Sequence, residues 1–137
     1  MESESVAVRA KGLTVSYGNA RGIEDVSLTI DRGAVTGLVG ANGAGKSTFM
    51  RTLMGFIRST SGSLDVLGLS AAHESVEIRR HCTYLPGEFV VPSRLTGHQV
   101  IDRFTFTRRD MRKVRVQELA STLDVDLTRR VGDLSKG

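Results

Sequence analysis

Apolar and polar residues alternate with a period of two at the start of the chain. Val6 and Val8 alternate, then Leu13, Val15 and Tyr17, and after the turn residues Gly18-Asn19-Ala20-Arg21-Gly22 so do Val26, Leu28 and Ile30. Such runs, separated by turn residues, predict an antiparallel strand group with one buried face. Asp31-Arg32-Gly33 reads as a turn, and the short apolar run Ala34–Val39 as a strand buried on both faces. The period then changes: Phe49, Met50, Leu53, Met54 and Ile57 fall on one face of a helix. A polar loop at Arg58–Ser63 precedes a short strand expected at Leu64–Leu67 and a short helix at Ser75–Arg80. Cys82–Leu85 reads as a strand ended by Pro86-Gly87, since proline cannot continue a ladder and glycine favours a turn. From Thr96 the pattern is helical. Thr96-Gly97-His98-Gln99 has the form of a capping box, followed by the stripe Val100, Ile101 and Phe104. A second helix is expected from about Asp110 to Leu123, with Met111, Val116, Leu119, Ala120 and Leu123 roughly on one side, and a loop at Asp124–Leu127.

Length and composition change this picture little. The 137 residues are enough for about one domain, and 39% hydrophobic with 25% charged residues is ordinary for a globular protein. No apolar run approaches the roughly 18 residues that span a bilayer, and the acidic, polar start Met1-Glu2-Ser3-Glu4-Ser5 is unlike a secretory signal. A cytoplasmic protein is expected. Cys82, the single cysteine, lies in an apolar-flanked run and reads as a small core residue. The net charge of +4 gathers at Arg108, Arg109, Arg112, Lys113 and Arg115 and at Arg129-Arg130. A solvated helix face is favoured over a docking surface for an acidic partner or for nucleic acid, and no aromatic residues interleave with these cations, which weakens the nucleic-acid reading.

Glycine, at 15 of 137 residues, is the compositional exception, and its clustering marks the candidate chemistry. Gly40-Ala41-Asn42-Gly43-Ala44-Gly45-Lys46-Ser47-Thr48 matches G-x-x-x-x-G-K-[ST], between a predicted strand and a predicted helix. A polyphosphate is a dense anion, and backbone N–H groups are donors that can be aimed at it without a side chain in the way. Glycines let the main chain approach closely and turn sharply. The loop then forms a nest of donors opening onto a helix N-terminus, whose dipole also favours negative charge. The pattern places Lys46 to reach the β- and γ-phosphates and the Ser47 hydroxyl to ligate Mg²⁺. On this loop alone, kinases, GTPases, helicases and transporter ATPases all remain open.

Three further stretches resemble the ATP-binding subunits of ABC transporters, and the resemblance runs from about Val6 to Gly137. Tyr17 stands where the family has an aromatic residue that stacks on the adenine ring. Cys82–Glu88 looks like the strand and start of the family's Q-loop, but Gly87 falls where the usual Mg²⁺-contacting glutamine would be. The adjacent Glu88 is the substitute metal ligand inferred, beside Ser47. The wording Tyr84-Leu85-Pro86-Gly87-Glu88 points to the multidrug and ABC-2-type export branch. Leu134-Ser135-Lys136-Gly137 resembles the signature Leu-Ser-Gly-Gly-Gln, which binds the γ-phosphate held by the opposite subunit. The resemblance implies an α/β P-loop NTPase fold of the ABC ATPase type. Its antiparallel β part would cover about 1–33, the P-loop core 34–95 and a helical subdomain 96–137. It also implies ATP and Mg²⁺ as ligands, a transmembrane permease and a second ATP-binding subunit as partners, and a place on the cytoplasmic face of the membrane. No nucleic-acid partner is expected.

Beyond its signature, the family carries an apolar run ending in Asp-Glu and then a switch histidine. Residues 1–137 contain no such run, and His73, His81 and His98 all precede the signature. The expectation is therefore an N-terminal part of a longer ATPase, with no catalytic residue of its own, that binds nucleotide and hardly hydrolyses it. The competing readings are a soluble ABC-type ATPase of DNA repair or translation, and an inactive nucleotide-binding remnant.

Overall fold

The computed structural model describes residues 5–18, 20–87, 90–105 and 113–134. It falls into two compact units, Met1–Tyr84 and Leu85–Gly137, each taken here by itself.

In the first unit, β1 (Val6–Tyr17) and β2 (Ala20–Asp31) form a long antiparallel hairpin, so the turn is tighter than the five residues expected. β3 (Ser61–Val66) pairs with the other edge of β1, and β4 (Leu69–Ser70) follows through a turn in which Leu67 and Gly68 both have positive φ. The sheet order is β2-β1-β3-β4, antiparallel throughout. Ala10 faces Leu28 on one side and Leu64 on the other, while Leu13 and Val15 face Val26 and Ile23. The period-two runs therefore do meet across the sheet.

The ladder slips between Ala10 and Leu13 and again between Leu13 and Val15. Gly12 adopts φ +56° and Asp25 φ +49° at these bulges. A hydroxyl on the facing strand closes each one. The Gly12 N–H donates to Ser27 Oγ at 2.8 Å, and the Asp25 N–H to Thr14 Oγ1 at 3.1 Å. An inserted residue moves every following side chain to the other face unless the register is reset, and the bulges perform that reset.

α1 (Lys46–Leu53) lays Phe49 and Thr52 against this sheet, and α2 (Ser75–His81) contributes Ile78. Leu13, Ile78 and Val15 are the largest fully buried side chains. Thr52 is buried as well; its hydroxyl donates to the Thr48 carbonyl, which is how a polar group sits in this core at little cost. Met50, expected on the buried face, is exposed, and the helix stops four residues short of Ile57. Gly55 at φ +65° ends it. The Gly55 and Phe56 N–H groups donate to Thr52 and Arg51 carbonyls, a Schellman closure.

Two expected strands are absent. Ala34–Val39 has no regular structure, and Val35 and Val39 are fully exposed. Cys82–Leu85 is likewise irregular: Cys82 packs partly against the core, whereas Leu85 is exposed. An extended run becomes a strand only when a neighbour accepts its N–H and C=O groups. None of the three ladders includes either segment.

The second unit holds α3 (Gly97–Thr105), α4 (Lys113–Thr122) and a 3-10 turn at Val131–Asp133. The capping box is reciprocal: the Gln99 N–H donates to Thr96 Oγ1 at 3.3 Å, and the Thr96 N–H to Gln99 Oε1 at 3.0 Å. The chain after α4 returns to this end of α3. Gly97 and His98 N–H groups donate to Arg129 and Leu127 carbonyls, and a side chain at Gly97 would strike Leu127. Two hydrogen bonds from Thr128 hold the Asp126 carboxyl below its usual range. Val100, Ile101, Val116 and Ala120 are half-buried, while Phe104, Leu119 and Leu123 are mostly exposed; Met111 lies outside the described residues. Removing the cap hydroxyl with Thr96→Ala should cost about 1 kcal/mol of stability, read as a lower denaturant midpoint at unchanged slope.

Candidate functional site

The glycine loop lies between the irregular Ala34–Val39 segment and α1. Gly45 stands at the helix N-cap in the left-handed region, φ +89°, and no side chain caps this helix end. A Cβ on Gly45 would lie 2.2 Å from the Gly22 carbonyl oxygen and 2.3 Å from Ile23 Cγ2. Gly43 also has positive φ, at +82°, but a Cβ there would meet nothing within 4 Å. The two glycines thus answer different demands: Gly45 answers close approach and conformation, Gly43 conformation alone.

Lys46 folds back over the loop. Its Nζ donates to the Gly40 and Ala41 carbonyls, both at 2.7 Å. The ammonium thus lines the cleft beside the loop and, having three donors, keeps one beyond these two bonds. Ser47 follows on the first turn of α1 and is exposed.

Tyr17, remote in sequence, comes to the same place. Its hydroxyl donates to Thr48 Oγ1 at 3.5 Å, and its ring edge lies over Gly22. Tyr17, Gly22, Asn42, Gly43, Gly45, Lys46, Ser47 and Thr48 line one cleft of about 310 Å³. Among the described residues, Lys46 is the only charged one in that lining. An aromatic wall, a loop of backbone donors and one cation make a site matched to a flat ring joined to an anionic chain. Gly40 and Ala44 shape the loop from behind; a Cβ at Gly40 would lie 3.3 Å from that of Ala44.

The residues present fit a polyphosphate: the helix end has no competing side-chain cap, and the Lys46 ammonium is held at the glycine loop beside it. For Mg²⁺ they supply the Ser47 hydroxyl, and no cluster of His, Cys, Asp or Glu able to hold a metal occurs among the described residues. That suits an ion held mainly by phosphates and water. Glu88, Ser135, Lys136 and Gly137 lie outside the described residues; Leu134 is half-buried at the end of the 3-10 turn. Gly22, read from sequence as a turn residue, belongs to the cleft instead.

A family model described as ABC transporter matches residues 23–137. The daunorubicin resistance ATP-binding protein DrrA2 of Streptomyces coeruleorubidus is 36% identical over 102 residues, 74% of this chain and 31% of that protein. The ABC transporter ATP-binding protein NatA of Bacillus subtilis is 32% identical over 123 residues, 85% of this chain and 50% of its own length. A solved ATP-binding subunit of an ABC transporter superposes with a TM-score of 0.75 at 26% identity, over 95% of this chain and 56% of that one. The chain belongs to the ABC transporter family, in its ATP-binding component, and has the α/β fold of that family's ATPase domains. It spans about a third to a half of the length of these relatives.

Proposed function

We propose that this chain binds ATP with Mg²⁺ as part of a transporter ATPase subunit. The observation that carries the reading is the shared cleft of Tyr17 and the Gly40–Thr48 loop, with Lys46 as its one charge among the described residues. The Tyr17 ring stacks on the base. The backbone N–H groups of Asn42, Gly43 and Gly45 and of the start of α1 receive the phosphates, Lys46 exchanges its loop carbonyls for phosphate oxygens, and Ser47 Oγ would ligate the metal. When bound, Mg²⁺ neutralises phosphate charge. Leu134, Ser135, Lys136 and Gly137 are assigned to the nucleotide of a second ATP-binding subunit, and Glu88 to the metal. The whole protein would hydrolyse ATP at the cytoplasmic face of a membrane beside a permease subunit. The Tyr84–Glu88 wording is the feature that favours the export branch.

Residues 1–137 hold no Asp-Glu pair after an apolar run to place and activate water. General acid–base help is worth about 10²- to 10⁴-fold, so polypeptide 1–137 is expected to bind ATP without turnover. Calorimetry with MgATP and a phosphate-release assay test both halves. Tyr17→Ala should lower affinity by roughly 5- to 100-fold, from stacking worth about 1–3 kcal/mol. Phosphate release should not exceed that of a Lys46→Ala control. No binding at millimolar ATP would overturn the site; hydrolysis well above the control would overturn the account of the absent pair.

A further inference from the structure

Gly22 holds a place in the cleft that its type alone permits. In the β1–β2 ladder Val15 pairs with Ile23 and Ser16 with Arg21, which leaves Gly22 as an extra residue on β2. Bulges re-aim the chain locally. Here the bulge brings the Gly22 carbonyl against Gly45, so that a Cβ on Gly45 would lie 2.2 Å from it. On its other side Gly22 lies under the aromatic ring: a Cβ there would be 2.9 Å from Tyr17 Cε2, 2.9 Å from the Val15 carbonyl and 3.1 Å from Thr48 Cγ2. One residue therefore touches both halves of the cleft, the glycine loop through its backbone and the aromatic wall through its missing side chain.

We infer that Gly22 is a positioning residue that sets the height of the Tyr17 ring above the phosphate loop, and so selects nucleotides over bare polyphosphates. The inference rests on the reading of the cleft as an ATP site. Of the three atoms that a side chain would meet, the ring edge belongs to the most mobile group, since Tyr17 is about half exposed and its hydroxyl contact to Thr48 is long, 3.5 Å. An added methyl would therefore push the ring aside, while the Val15 carbonyl, as close at 2.9 Å, is backbone and yields less. Gly45 meets Gly22 through the Gly22 carbonyl, away from the ring, and of the loop and helix end only the Thr48 methyl lies on the side of the missing Cβ. The consequence is specific: contact with the base weakens while contact with the phosphates does not.

Gly22→Ala tests this in the 1–137 chain, with MgATP and inorganic tripolyphosphate as the two probes. ATP affinity should fall about tenfold, as expected when one base–aromatic stack is lost, with tripolyphosphate affinity within twofold of the parent. In a Tyr17→Ala background the same substitution should cost no further ATP affinity, because residues acting through one contact are non-additive. An equal loss for both probes, no loss for either, or full additivity with Tyr17→Ala would overturn the inference. So would a Gly22→Ala chain that fails to fold whether or not Tyr17 is present, since the glycine would then serve the Val15 carbonyl. A parent chain that binds tripolyphosphate but gains nothing from the base would instead defeat the ATP reading itself.

Discussion

Gly45→Ala should abolish ATP binding and destabilise the first unit by roughly 2–5 kcal/mol. The new methyl would sit 2.2 Å from the Gly22 oxygen and 2.3 Å from Ile23 Cγ2, far inside contact distance. The residue also holds φ +89°, which costs a side-chain-bearing residue about 1–2 kcal/mol. Overpacking adds about 1–3 kcal/mol, and the nearer atom is backbone, anchored by the paired residues Arg21 and Ile23 on either side, so it cannot swing aside. Against a total stability of about 5–15 kcal/mol, the loss is severe. Thermal unfolding should show a drop on the order of ten degrees or more. Gly43→Ala is the internal control. It shares the positive φ but meets nothing within 4 Å, so it should cost the conformational part alone. Equal melting temperatures for the two variants would sink this account of the loop.

Lys46→Ala should lower ATP affinity by about 10- to 100-fold while leaving the fold intact. Hydrogen bonds to charged groups contribute about 1.5–3 kcal/mol, and each 1.4 kcal/mol is tenfold in affinity. The ammonium already has two carbonyl acceptors at 2.7 Å. The net gain on binding is therefore the difference between a neutral oxygen and an anionic one, which favours the anion. Both existing bonds are solvent-exposed and within the loop, so their loss should move the melting temperature by only a few degrees. Lys46→Arg should recover only part of the affinity, because a planar fork cannot replace a compact ammonium in a tight turn. Calorimetry on the three proteins reads this directly, and an alanine variant that binds ATP like the parent would remove Lys46 from the site.

The parts of this protein legible in its sequence are those whose cause is local. The strand pairing of the first thirty residues follows from alternation, the start of α3 from Thr96 and Gln99, and the start of α1 from Gly45-Lys46-Ser47. The glycine loop is local too, because backbone conformation and helix-end donors belong to consecutive residues. Even the bulges left a trace, in the shift of the apolar positions from even numbers at Val8 to odd ones at Leu13 and back to even ones at Val26.

What only the tertiary structure decided depends on residues far apart in the chain. Ala34–Val39 has the composition of a strand and no partner among the described ladders, and hydrogen-bond pairing is not a property that a segment holds alone. Met50, expected to be buried, is exposed and Thr52 is buried because burial depends on what α1 meets, here the face of the sheet. Tyr17 reaches the phosphate loop only because β1 ends beside the start of α1, and Gly22 enters the cleft only through a slip in pairing with β1. The sequence by itself determined the kind of loop, and the family to which it pointed. The fold decided which aromatic ring faces that loop and which glycine lies between them, since both are contacts across the chain that no single stretch contains.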